Sequence, residues 1–123
     1  MWFKIDMRSP ETLNGQIKRG IQEAILRGEV KEDELLPSIR EMATTLRVNP
    51  NTVARAYREL EAEGVIVARQ GMGVLVVENK ERIRAALVEA QQQDLRMPLA
   101  RLKALGLGLK TVQEVIASLW NQL

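Results

Sequence analysis

Pro37-Ser38-Ile39-Arg40-Glu41-Met42-Ala43 and, a turn later, Val48-Asn49-Pro50-Asn51-Thr52-Val53-Ala54-Arg55-Ala56-Tyr57 decide the reading of this chain. Ser38 stands immediately before an apolar-periodic run, and Glu41 follows three residues on, the pattern of a capping box. Ile39, Met42, Ala43 and Leu46 fall on one face of the short helix this predicts. Arg47-Val48 then makes a tight turn. Asn49 is the expected N-cap of the next helix, with Pro50 at the first helical position, where its missing N–H costs nothing. That helix should run to about Glu63, turn Val53, Ala56, Tyr57 and Leu60 inward, and stop at Gly64. Two short helices joined by so brief a turn form the supersecondary unit that places a helix in the major groove of DNA.

Upstream, Phe3 and Ile5 suggest a short extended start that Ser9-Pro10 interrupts. A helix from Thr12 to Arg27 follows, with Leu13, Ile17, Ile21, Ala24 and Ile25 as its apolar stripe and Gly28 as its stop. Val30 to Leu36 reads as a polar connection with one or two buried apolar side chains. Downstream, Val65-Ile66-Val67-Ala68 and Val74-Leu75-Val76-Val77 read as strands, joined by Gln70-Gly71-Met72-Gly73 as a hairpin turn. The expected fold class is mainly α with a small β-hairpin: a winged helix-turn-helix over 1–78 and a helical tail over 79–123. The tail reads as a helix capped by Asn79, a turn at Leu105-Gly106-Leu107-Gly108, and a last helix with Leu109, Val112, Ile116, Leu119, Trp120 and Leu123 on one face. Pro98 inside the first tail helix predicts a kink or break near Leu95.

The composition narrows the chemistry. The chain has 123 residues, 46% apolar and 28% charged, which suits one domain, or one small domain with an appendage. It contains neither His nor Cys, so imidazole bases, thiol nucleophiles, disulfides and the usual zinc ligands are excluded. No metal site, no cofactor and no enzymatic activity are expected. No apolar run approaches the roughly 18 residues of a membrane span, and Met1 to Asp6 lacks the apolar core of a signal peptide. The absence of Cys is compatible with a reducing cytoplasm, and a cytoplasmic location is expected. The net charge of +2 conceals a segregation: Arg40, Arg47, Arg55 and Arg58 face only Glu41 within 40–58, a local +3, and 79–123 carries another +3. Local charge is what a polyanion meets, since screening removes the rest beyond about 8–10 Å.

Leu36-Pro37-Ser38-Ile39-Arg40-Glu41-Met42-Ala43, Val48 to Glu61, Glu63-Gly64-Val65-Ile66 and Gly71-Met72-Gly73 occur in order and at the right spacing to resemble the GntR family of bacterial transcription regulators. Phe3-Lys4-Ile5-Asp6 and the Asn-Pro-Asn-Thr start of the third helix are similar to its short YtrA-type branch, in which two dimerising helices replace a ligand-binding domain. The chain departs from the family pattern in places. Asp33 stands where a Gly is usual, Thr12 and Asn14 where Pro and Tyr are frequent, and Met72 where the wing usually has a basic residue.

The expected DNA-binding residues are Arg40, Arg47, Asn49, Asn51, Thr52, Arg55 and Gly71. Asn49, Asn51 and Thr52 lie at the start of the third helix, whose free N–H groups and dipole would attract phosphate. Arg55 lies one turn on, although Arg55 and Glu59 are also spaced to form a solvated pair. Arg40 corresponds to the family's DNA-contacting arginine, and Gly71 to the glycine that lets the wing backbone approach the minor groove. Ile83, Leu87, Leu102, Leu105, Val112, Ile116, Leu119 and Trp120 are the expected dimerisation residues, because the two tail stripes exceed what one chain can cover. The resemblance implies a homodimeric, sequence-specific regulator that recognises an inverted-repeat operator in double-stranded DNA, usually as a repressor. It leaves open an unknown small-molecule effector. The alternative is a winged-helix protein-interaction module that does not bind DNA.

Overall fold

The structure, a computed structural model, describes residues 1–77 and 80–123. In chain order the elements are α1 (Leu13–Leu26), α2 (Ile39–Leu46), α3 (Pro50–Ala62), β1 (Ile66–Arg69), β2 (Gly73–Val76), α4 (Lys80–Ala104) and α5 (Leu109–Trp120). They divide into two compact units, Met1–Ala85 and Ala86–Leu123, so the division falls inside α4 rather than at 78/79. The role given to Asn79 as a cap lies outside the described residues.

Short polar side chains start the first three helices. Thr12 Oγ1 accepts from the Gly15 N–H at 3.2 Å, Ser38 Oγ from the Glu41 N–H at 3.1 Å, and Asn49 Oδ1 from the Asn51 N–H at 2.8 Å. Each such cap stabilises its helix by about 1 kcal/mol. Gly64 ends the α3 segment with φ 77°, a left-handed turn open to glycine without steric cost. Arg47 ends α2 in the same conformation, with φ 58°.

Helix α3 packs on both α1 and α2. Ile17, Ile21, Ala24 and Ile25 of α1, Met42 and Ala43 of α2, and Val53, Ala56, Tyr57 and Leu60 of α3 are buried. Ile39 departs from the expected inner face of α2. It is 37% exposed, whereas Met42 and Ala43 of the same helix are buried. Tyr57 buries its ring and donates its phenol to the Pro37 carbonyl at 2.6 Å, tying α3 to the entry of α2. Burial, and secondarily the Glu41 carboxylate, push that phenol above its ordinary value, so it remains a donor.

The hairpin pairs Ile66 with Val76, Val67 with Leu75, Ala68 with Val74 and Arg69 with Gly73. Sequence reading missed its third edge. The connection before α2 lies antiparallel to β2: Leu36 N–H donates to Val74 O at 2.8 Å, Val76 N–H to Glu34 O at 3.1 Å and Asp33 N–H to Val76 O at 2.9 Å. Its charged composition, Glu32-Asp33-Glu34, hid this pairing, which engages backbone rather than side chains. Asp33 adopts φ 63°, which explains why glycine suits this position; Asp is among the few other residues that tolerate it.

The N-terminal segment forms no strand. Gln16, buried on α1, clasps it by accepting from the Asp6 N–H at 2.8 Å and donating to Asp6 O at 2.9 Å and Glu11 O at 3.1 Å. Phe3 lies on Gly20 so closely that a Cβ there would overlap the ring.

In the first unit, α4 contributes Ile83, which is 1% exposed and belongs to the interior. This corrects its assignment to a dimer surface: the side chain is already covered by its own chain. In the second unit, α4 continues through Pro98 as one helix, so of the kink or break expected near Leu95 the break does not occur. Proline removes one backbone donor, and a helix this long tolerates the loss of a single rung. Gly106, with φ 87°, turns the chain, and α5 begins at Gly108 without a side-chain cap. Val112 is buried within this unit, whereas Leu105, Ile116, Leu119 and Trp120 are exposed, and Leu87 and Leu102 are half-buried. Leu123 lies beyond the end of α5.

Two measurements test this packing. Tyr57→Phe strands the Pro37 carbonyl and should lower the urea-unfolding free energy by about 1 kcal/mol. The raised phenol stabilises the fold fully below its ordinary value of about 10 and loses that contribution as pH rises beyond it. The unaltered chain should therefore weaken at alkaline pH by an increment that the Phe variant lacks, and equal alkaline profiles would exclude the buried donor. Gly20→Ala should cost about 1–3 kcal/mol through overpacking against Phe3, read from the shift in urea midpoint, and an unchanged midpoint would show that Phe3 does not rest there.

Candidate nucleic-acid interface

The residues expected to bind DNA are carried by three connected pieces of the first unit. Arg40 is the second residue of α2 and is exposed. Arg47 occupies the left-handed turn, and Asn49, Asn51 and Thr52 open α3. Arg55 lies on the opposite side of α3 from its buried face and is 67% exposed. These six residues are therefore assembled by the helix-turn-helix itself. Gly71 is apart from them in the chain, at the hairpin tip, exposed and with φ 80°. Beyond it, Met72 presents a largely bare side chain.

The electrostatics separate two kinds of cation. Those of α1 are neutralised: Lys18 meets Glu63 at 2.7 Å and Glu59 at 3.5 Å, and Arg19 meets Glu11 at 2.8 Å and Glu23 at 3.1 Å. Arg27 pairs with Glu29 at 3.0 Å. Hydrogen bonding to Glu11 holds the Arg19 guanidinium above its ordinary value, with Glu23 adding to it, against the opposing effect of partial burial. Among the described residues, Arg40, Arg47 and Arg58 have no carboxylate partner, and Arg55 has only Glu59, at 3.5 Å. Uncompensated, solvated guanidiniums on one supersecondary unit make a binding surface for phosphate and for the acceptor edge of guanine.

One expectation about α3 needs correcting. Its first N–H groups are not free for phosphate. Pro50 has none, the Asn51 N–H donates to Asn49 Oδ1, and those of Thr52 and Val53 donate to Asn49 O at 2.9 and 3.4 Å. Asn49 thus spends its side-chain oxygen on the cap and keeps its amide N–H₂ for a ligand. The helix start offers side chains and a dipole rather than an empty nest of donors.

Arg69, at the end of β1, was missed by sequence reading. It is exposed, has no carboxylate partner among the described residues, and its carbonyl accepts from the Met72 N–H at 3.0 Å across the wing turn. The signal was a cation directly before the turn, so the basic charge absent at Met72 stands at the base of the tip instead. Sequence reading also passed over Thr44 and Thr45, which line an exposed groove with Ser38, Arg40 and Glu41. Among the described residues, no group of carboxylates could hold a metal ion, and no helix is long and apolar enough to cross a membrane.

Comparison with known proteins agrees with this geometry. The family described as "Bacterial regulatory proteins, gntR family" matches residues 13–76, which span α1 through β2. The HTH-type transcriptional repressor YtrA of Bacillus subtilis (strain 168) is 39% identical over 100 residues, covering 81% of this chain and 75% of its own length. A GntR family transcriptional regulator from Listeria monocytogenes superimposes with a TM-score of 0.72 at 30% identity, over 93% of this chain and 98% of that one. The DNA-binding domain of AraR in complex with operator ORX1 superimposes with a TM-score of 0.53 at 25% identity, over 61% of this chain and 93% of that domain. With the family match spanning the winged unit and its unpaired arginines, this chain belongs to the GntR family of bacterial regulatory proteins, as a DNA-binding transcription regulator rather than an enzyme.

Proposed function

We propose that this chain is a homodimeric repressor that occupies an inverted-repeat operator in the bacterial cytoplasm, at the nucleoid. The carrying observation is the run of unpaired, exposed arginines around the start of α3, set against the neutralised cations of α1. In this reading α3 enters the major groove with Asn51, Thr52 and Arg55 toward base edges. Arg40 and Arg47 bind the flanking phosphates, and the hairpin tip at Gly71 lies along the minor groove. Repression is the role named for the relative YtrA.

Dimerisation is supported by the apolar surface of the second unit. Leu95, Met97, Leu99, Leu105, Leu109, Ile116, Leu119 and Trp120 are all exposed, and Trp120 is 72% so. So much bare apolar surface on two helices is the signature of an interface, and closed two-fold pairing is its commonest solution. A dimer presents two α3 helices to successive major grooves, which is why the operator should be an inverted repeat. We assign no small-molecule effector.

Two experiments test these readings. In gel shifts with duplexes selected from a randomised pool, the logarithm of affinity should fall steeply with the logarithm of salt concentration, with a slope of about −0.9 per neutralised phosphate. Arg40→Ala together with Arg55→Ala should abolish the shift; binding that ignores salt, or survives both changes, would sink the DNA model. Dimerisation is better tested by substitution than by removing the tail, since Ile83 of α4 lies in the interior of the first unit. Leu119→Asp with Trp120→Asp should sediment as a folded monomer and bind the selected duplex at least about tenfold more weakly. A dimer that persists would rule out α5 as the pairing surface.

A further inference from the structure

Glu59 stands between the neutralised cations of α1 and the exposed arginine of α3. Its Oε1 lies 3.5 Å from Arg55 Nε. From the other side, Asn14 Nδ2 donates to Oε1 at 3.4 Å, and Lys18 Nζ lies 3.5 Å from Oε2. Lys18 is itself held by Glu63 at 2.7 Å. The carboxylate is thus anchored to α1 through both oxygens, and Arg55 shares Oε1 with Asn14.

The point of attachment matters. A carboxylate that engages a guanidinium at Nε leaves the end carrying Nη1 and Nη2 open to a second partner. Among the described residues Glu59 is the one ion-pair partner of Arg55. Two parallel N–H donors at that end match O6 and N7 of guanine, the bidentate contact by which arginine reads the major groove. An arginine without such a hold turns readily to the nearest phosphate, which carries no sequence information. A negative charge behind Arg55 also reduces its net attraction to phosphate.

We propose that Glu59 is a positioning residue for sequence recognition: it holds Arg55 by Nε, reserves Nη1 and Nη2 for a guanine edge, and withholds the side chain from phosphate. The proposal rests on the DNA-binding reading and names the base class that reading leaves open. Asn14 and Lys18 serve it by fixing the carboxylate. The purely structural reading, in which Glu59 only joins α1 to α3, predicts a loss of stability and no change in selectivity.

The test uses the full chain, a duplex selected from a randomised pool against it, and poly(dA-dT) as the guanine-free competitor. Glu59→Gln keeps the shape and removes the charge at a half-exposed site outside the core, so thermal unfolding should report an intact fold. The ratio of affinities for the selected duplex and for poly(dA-dT) should fall about tenfold. The salt slope on poly(dA-dT) should steepen by about 0.9, the signature of one added phosphate contact. In an Arg55→Ala background, Glu59→Gln should lower the ratio no further, because the effect passes through Arg55. An unchanged ratio and slope would overturn the proposal, and so would an equal fall in the Arg55→Ala background, which would mark a general charge effect. A pool in which the unaltered chain enriches no sequence would remove the DNA-binding reading, and this proposal with it.

Discussion

Helix α3 has to satisfy two environments at once, and that double demand organises the first unit. Val53, Ala56, Tyr57 and Leu60 must be covered, and α1 and α2 cover them from different sides. Their opposite face must stay bare, and Arg55 and Arg58 show that it does. At roughly 1.5–3 kcal/mol for each large apolar side chain taken from water, the inner face outweighs any single polar contact in the unit. The remaining features serve its orientation. The Tyr57 phenol fixes α3 to the entry of α2, Arg47 closes α2 in a left-handed turn, and Asn49 restarts the helix at once.

The charges follow the same division. Cations beside the covered side of α3 are matched by Glu59, Glu63, Glu11, Glu23 and Glu29, each worth little on an exposed surface. Their value lies in keeping α1 electrically quiet, so that the positive field arises at α2, the turn and α3. A near-neutral chain can in this way present a strongly basic surface, because bound DNA meets local rather than summed charge. Arg55 belongs to both sets: it stands on the exposed face of α3, and among the described residues its one carboxylate neighbour is Glu59.

Much of this was legible from residues alone. Caps at Thr12, Ser38 and Asn49, stops at Gly28 and Gly64, and the buried face of α3 all follow from local rules that the structure obeys. The paired backbone of 33–36 was not legible, because a strand's edge is supplied by its neighbour and leaves no mark on an acidic connection. The exposure of Ile39 and the burial of Ile83 were hidden for a related reason. An apolar residue on a helix declares a preference, but only the arrival of another element decides whether that preference is met. Pro98 shows the converse, a local helix breaker overridden by the turns on either side of it.

The sequence by itself determined the order of elements, the caps of the first three helices, the buried face of α3 and the exclusion of His- and Cys-based chemistry. Periodicity, caps and side-chain chemistry act over a few residues and need no partner. Only the tertiary structure decided which arginines are left unpaired, that the N–H groups opening α3 are already used, and that Glu59 lies 3.5 Å from Arg55 Nε while Asn14 and Lys18 hold it from α1. Those outcomes depend on residues distant in the chain, such as Asn14 and Lys18 against Glu59 and Glu63, whose meeting is fixed by the packing of α1 on α3.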